Sequence, residues 1–200
     1  MSLHSSPLSR KQALLHAAKE LFGQYGYADT TFKKISERAG VALGLLTHHY
    51  GNKEQLFLAA GLDVLDAFLR VLRRACQGAS TGRDGVLAYC RAYLNFSIDP
   101  ESHWLVLVRC SPFSDTASGH EEMTEKFSQV LIVLEEQLRR GVADGTLRPM
   151  DAHEVAQVIL ATMVGANRTR LLTPYASPRL YDETLDMVER AVVSAPSSRG

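Results

Sequence analysis

Of the side chains that could carry covalent or metal chemistry in this 200-residue chain, the cysteines are few and poorly placed. Cys76, Cys90 and Cys110 are odd in number and show no close CxxC spacing, which argues against a disulfide framework or a zinc site and for reduced core residues. An enzyme would use Cys90 or Cys110 as nucleophile with His103 as base; such a pair needs hydrogen-bond reach and an orienting third group, which this spacing does not supply. His48 and His49 are adjacent, and neighbours on a helix point about 100° apart, so they are badly placed to share a metal ion. No catalytic residue, metal or cofactor is therefore expected. Threonine, lysine, histidine and small residues are instead gathered over residues 31–53.

Charge points the same way. The chain is neutral overall, with 22 Lys and Arg against 22 Asp and Glu. Residues 1–60 hold seven basic and four acidic side chains, a net +3, which leaves −3 for the remainder. A basic end suits a polyanionic partner. No apolar run reaches the roughly eighteen residues that span a bilayer, and residues 1–9 carry neither a basic-then-apolar signal nor a small-residue cleavage site. A cytoplasmic protein with no membrane contact is expected.

The elements that must position these residues read as helices. Ser9 and Gln12 have capping-box spacing, and Leu14, Ala17, Ala18, Leu21, Phe22 and Tyr25 recur at helical intervals until Gly26, giving a first helix with one buried face. Thr30 and Thr31 can cap a short second helix with Phe32, Ile35 and Ala39 inward, and Gly40 is placed to end it at positive φ. A third helix spans residues 42–48, with Ala39, Val41, Leu46 and Tyr50 able to face the first. Asn52 and Gln55 repeat the cap spacing before a fourth, whose apolar stripe is Leu56, Phe57, Ala60, Val64, Phe68 and Leu72. Residues 78–85 read as a loop, and further helices are expected near residues 85–97, 101–110, 122–142, 152–172 and 178–193. The chain is thus all-α, with about nine helices. A three-helix helix-turn-helix domain occupies residues 1–52, a larger helical domain residues 53–195 and a disordered tail residues 196–200.

Two short helices joined by a tight turn, the second leaving Leu43, Gly44, Leu45, Thr47 and His48 outward, suit a major groove about 12 Å wide. At these residues the chain resembles the TetR family of repressors, from Arg10 to Phe57. The helix-ending Gly40-Val41 pair, the Gly44-x-Leu46 of the recognition helix and the aromatic-Gly-Asn-Lys-Glu run from Tyr50 to Glu54 agree together. The resemblance implies a DNA-binding repressor with no enzymatic activity. It puts Thr31 at the cap of the second helix near a phosphate, with Lys33 and Lys34 adding phosphate contacts. Leu43, Gly44, Leu45 and Thr47 take the positions that approach base edges, Gly44 being small enough for close approach. Leucine cannot read donors and acceptors, so contact with thymine methyl groups is the reading it permits. His48, His49 and Lys53 take positions that touch the DNA backbone. Thr47 departs from the family, which usually has tyrosine there.

Beyond Phe57 the likeness rests on helix order and on the Asp144-Gly145-Thr146-Leu147 turn before a long helix. It implies a small-molecule effector held among the central helices and a homodimer made by the last two helices as a four-helix bundle, bound to a palindromic operator of double-stranded DNA. Val155, Ile159, Thr162, Met163 and Ala166, then Tyr181, Leu185, Val188 and Val192, form one face of each helix and are the expected dimer contacts, with intrachain core as the alternative. Pocket candidates are Tyr89, Tyr93, Phe96, Trp104, Phe113, Met123, Phe127 and Met163, with His103, Arg109 and Asn167 as polar options. Their aromatic weight suits an apolar or aromatic effector. A small-molecule-binding helical enzyme and a protein-only adaptor are the competing readings, and the adaptor predicts no salt-sensitive affinity for DNA.

Overall fold

Local capping chemistry sets most of the helix boundaries. In the computed structural model, which describes residues 9–109 and 120–193, nine α-helices and one 3₁₀ turn occur among the described residues, with no strand among them. They are α1 (Arg10–Asp29), α2 (Phe32–Ala39), α3 (Leu43–Tyr50), α4 (Lys53–Gln77), α5 (Gly82–Ile98), α6 (Trp104–Arg109), α7 (His120–Ala143), α8 (Ala152–Leu172) and α9 (Leu180–Val192), with the 3₁₀ turn at Pro100–Ser102. Cys110, Phe113 and the tail at 196–200 lie outside the described residues.

The first helix opens on the reciprocal Ser9–Gln12 capping box. Gly26 interrupts it at φ 82° and ψ 178°, a backbone conformation that only glycine adopts without strain. Thr30 does not cap α2. Its buried hydroxyl donates to the carbonyls of Gly26 at 2.7 Å and Leu21 at 3.2 Å, closing the interrupted end of α1. Thr31 alone caps α2, accepting the Lys34 N–H at 3.2 Å, and Gly40 ends that helix at φ 64°. Asn52 accepts the Gln55 N–H at 2.9 Å at the start of α4.

The chain divides into two compact units, Met1–Asp66 with His103–Thr124, and Ala67–Ser102 with Glu125–Gly200. This differs from a boundary at residue 52 for two reasons. The fourth helix contributes to both units, and α6 returns to pack against α1, where Gly23 lies next to Val106. The first unit buries Leu14, Ala18 and Phe22 of α1, Ile35 of α2, Leu46 of α3 and Leu56 and Leu65 of α4. Tyr25, placed in the buried stripe of α1 by periodicity, is instead exposed, with the Lys34 ammonium 5.6 Å from its ring centre.

In the second unit α5, α8 and α9 pack on one another. The loop expected over residues 78–85 is shorter, because Thr81 accepts the Asp84 N–H at 3.1 Å and α5 begins at Gly82. A side chain at Gly82 would collide with the backbone of Gly141, so the start of α5 and the end of α7 touch main chain to main chain. The single helix expected over 101–110 is broken by His103 at φ 54° into the 3₁₀ turn and α6.

Five of the nine residues expected at a dimer contact are covered within the chain. Ile159, Met163 and Ala166 of α8 and Val188 and Val192 of α9 are buried within the chain itself, because α8 and α9 pack on each other and on α5. That stripe is intrachain core. Val155, Thr162, Tyr181 and Leu185 are half-buried at its margins. The outward face of α8 carries Val158, which is 67% exposed, with Ala161, Val164, Gly165 and Leu172, and α9 leaves Met187 exposed.

Candidate nucleic-acid interface

The predicted recognition residues come together on the first unit. Leu46 and Tyr50 are buried and anchor α3, and the Tyr50 hydroxyl donates to the Lys11 carbonyl at 3.2 Å. Burial pushes the Tyr50 hydroxyl pKa up, with the Asp63 carboxylate adding to the effect, so it stays a protonated donor. The opposite face is open. Leu43, Gly44, Thr47, His48 and His49 are exposed and Leu45 is half-buried. No heavy atom lies within 4 Å of a Cβ built on Gly44, so the helix backbone is bare there. The Thr47 hydroxyl donates to the Leu43 carbonyl at 3.3 Å, and the His48 and His49 rings lie 5.5 Å apart.

Lysines stand on the two neighbouring helices, Lys33 and Lys34 on α2 and Lys53 at the start of α4. Lys33 is largely exposed, 4.0 Å from Glu37. Lys34 donates to the Asp29 carbonyl at 2.8 Å beside Thr31. Lys53 donates to the Tyr27 carbonyl at 3.0 Å, and its ammonium sits 4.2 Å from the centre of the Tyr27 ring. A lysine ammonium has three donors, so each keeps protons free for a phosphate oxygen. Tyr25 and Tyr27, which hold Lys34 and Lys53, were missed from sequence; the signal was a pair of aromatics flanking a glycine just before the basic segment.

The described residues expected at an effector pocket are divided between the two units. His103, Trp104, Arg109 and Met123 belong to the first unit, where the Arg109 guanidinium donates to the Phe22 carbonyl at 3.0 Å and the His103 ring meets His16 edge-on at 5.3 Å. In the second unit Tyr89 and Met163 are core, the Tyr89 hydroxyl donating to the Val130 carbonyl at 2.9 Å, and burial drives its pKa well up. Phe96 and Tyr93 each pack on Phe68 at 5.1 Å, and Phe127 is half-buried. Buried Asn167 accepts from Tyr181 at 3.2 Å, and Tyr181 pairs with Ser97 at 3.2 Å. A shallow groove of about 390 Å³, lined by Arg139, Val142, Ala143, Met150, Asp151, Ala152 and His153, contains none of these residues. Its polar groups are engaged: Asp151 caps α8, and buried Glu135 bonds Arg139 at 2.9 Å and His153 at 3.0 Å.

Among the described residues no group of three His, Cys, Asp or Glu side chains is arranged to hold a metal, and no helix is long and apolar enough to cross a membrane. A short capped helix, a glycine turn and a second helix with an open face, with lysines on the adjoining helices, define a helix-turn-helix DNA-binding module among the described, all-α residues. Comparison with known families makes this specific. The family described as bacterial regulatory proteins, tetR family, matches residues 14–60, and the tetracyclin repressor-like C-terminal domain matches residues 83–168. The chain belongs to the TetR family of transcriptional regulators, which are DNA-binding proteins rather than enzymes.

The HTH-type transcriptional repressor AcnR of Corynebacterium efficiens is 29% identical over 190 residues, covering 93% of this chain and 94% of its own. Among solved structures, a regulator from Saccharomonospora viridis in complex with choline matches with a TM-score of 0.83 at 16% identity, covering 93% of this chain and 98% of that one. AibR in complex with isovaleryl coenzyme A and operator DNA matches with a TM-score of 0.75 at 20% identity, covering 90% and 98%. At these identities the structural matches establish the fold.

Proposed function

We propose that this protein is a cytoplasmic homodimeric repressor that binds a palindromic operator through two copies of α3 and is released when a small apolar or aromatic effector binds its second unit. The observation that carries the reading is the open face of α3, bare at Gly44, with Lys33, Lys34 and Lys53 on the neighbouring helices α2 and α4. Thr31, Lys33, Lys34, His49 and Lys53 hold phosphates, which supply most of the affinity, while Leu43, Gly44, Leu45, Thr47 and His48 face the groove. Repression is supported by the likeness to AcnR, and effector control by structural relatives bound to choline or to isovaleryl coenzyme A.

Dimerisation uses the outward face of α8, since the inward stripe is consumed by the core. The effector occupies the second unit, where the Phe68, Tyr93 and Phe96 rings and the Ser97, Tyr181 and Asn167 hydrogen-bond cluster supply apolar and polar contacts. The 25-residue α4 is the route of coupling, because it begins at Lys53 and continues as one helix into the second unit. Release requires the effector to prefer the form that does not fit DNA, by about 1.4 kcal/mol for each tenfold loss of operator affinity. The test is selection of bound duplexes from a random pool by the purified protein, followed by affinity measurements at several salt concentrations. A palindromic sequence bound by two protomers with a steep salt slope is expected; no selected sequence and no salt dependence would overturn the reading. A thermal-shift screen tests the effector class, which fails if only small polar metabolites stabilise the protein.

A further inference from the structure

We propose that α3 reads its operator through the C5-methyl groups of pyrimidines, with Leu43 and Thr47 as the reading side chains and thymine as the base they select. The inference rests on the DNA-binding reading above and specifies its chemistry. Leu43 and Thr47 are one helical turn apart, so their side chains lie on the same face. Leu43 is 48% exposed and has only carbon to offer. Thr47 carries a hydroxyl, yet that hydroxyl is bonded to the Leu43 carbonyl one turn back at 3.3 Å. What Thr47 adds to the outward surface is therefore its methyl group.

The two side chains together make an apolar strip, and next to it the backbone at Gly44 is bare. In the major groove, adenine, guanine and cytosine present donors and acceptors, whereas thymine presents an acceptor and a methyl. An apolar strip pressed on a polar edge removes water without returning a hydrogen bond, which is unfavourable; pressed on a methyl it removes apolar surface from water. Selectivity for the methyl follows from both signs. It extends to 5-methylcytosine, which carries the same methyl at the same position.

The test uses the duplex selected above, with each thymine of a half-site replaced in turn by uracil, cytosine or 5-methylcytosine (with guanine opposite the last two). At one or two positions uracil and cytosine should weaken binding about fourfold, the worth of one buried methyl, and 5-methylcytosine should restore most of the loss. Leu43→Ala or Thr47→Ser should bring thymine and uracil together, whereas Thr47→Val, which keeps a methyl and discards the hydroxyl, should preserve the difference. All three substitutions are at exposed positions, and circular dichroism verifies the fold. Equal affinity for uracil and thymine at every position overturns the proposal and leaves the DNA-binding reading intact; failure to bind any duplex removes both.

Discussion

The Lys53 ammonium lies 4.2 Å from the centre of the Tyr27 ring and donates to the carbonyl of the same residue at 3.0 Å. Tyr27 is itself held, stacked on Phe22 at 6.2 Å and tilted against Phe57 at 5.1 Å. A lysine fixed in this way has less rotamer freedom to lose when a phosphate arrives. Lys53→Ala should weaken binding to every DNA sequence and lower the salt slope by about one. Tyr27→Leu should weaken binding about two- to fivefold, the worth of an exposed cation–π contact, with the slope unchanged because the charge stays. In the Lys53→Ala background Tyr27→Leu should have no effect on affinity. Anisotropy titrations over a range of salt measure all three, and equal Tyr27→Leu losses in both backgrounds would disprove the coupling.

Gly26 sits at φ 82°, where a side chain is strained, and a Cβ there would stand 3.2 Å from Arg109 Nη1, the atom that donates to Phe22. Gly26→Ala should cost about 1–3 kcal/mol for the backbone alone. Thr30→Val should cost a similar amount, about 1–3 kcal/mol, by leaving the Gly26 and Leu21 carbonyls without their buried donor. Urea denaturation should show a lower midpoint with an unchanged slope for each.

The features that sequence resolves are those whose cause is local. Ser9 with Gln12, Thr31, Asn52 with Gln55 and Gly40 end or begin helices through contacts within five residues, and each is where spacing placed it. The opposite holds for α8. Periodicity marks Ile159, Met163 and Ala166 as a buried stripe, but it carries no information on whether α5 and α9 or a second protomer covers them. The place of Arg109 on the Phe22 carbonyl likewise depends on α6 folding back onto α1 across more than 80 residues, a contact no local pattern encodes.

Asp144 ties the turn before α8 to the start of α5. The Thr146 hydroxyl is the largest influence holding its carboxyl below the usual range, followed by the Gly82 N–H, which donates at 2.8 Å. A carboxylate depressed in the folded state adds stability that is complete above its unfolded pKa, about 3.9, and is lost as pH falls through the lower folded value. Stability of the wild type should therefore fall in that acid window. Asp144→Asn should be less stable at neutral pH and show a shallower fall below pH 4; parallel pH curves for the two proteins would refute the assignment.

The outward face of α8 places Val158, Ala161, Gly165 and Leu172 along one stripe, with small residues at the centre that let a second helix come close. Val158 is 67% and Leu172 54% exposed, which is unusual for large apolar side chains on a helix packed so fully on its other face. Val158→Asp should leave the chain folded, because the residue touches little of its own core, yet place like charges opposite each other where two copies of α8 cross in the proposed dimer. Sedimentation should then report a monomer, and operator affinity should fall by well over tenfold because the two heads no longer bind as one unit. Ile159→Ala provides the contrast. It lies in the intrachain core and should cost about 2–5 kcal/mol of stability, lowering the unfolding midpoint, without a selective effect on the proposed self-association. A Val158→Asp protein that remained dimeric would move the interface elsewhere.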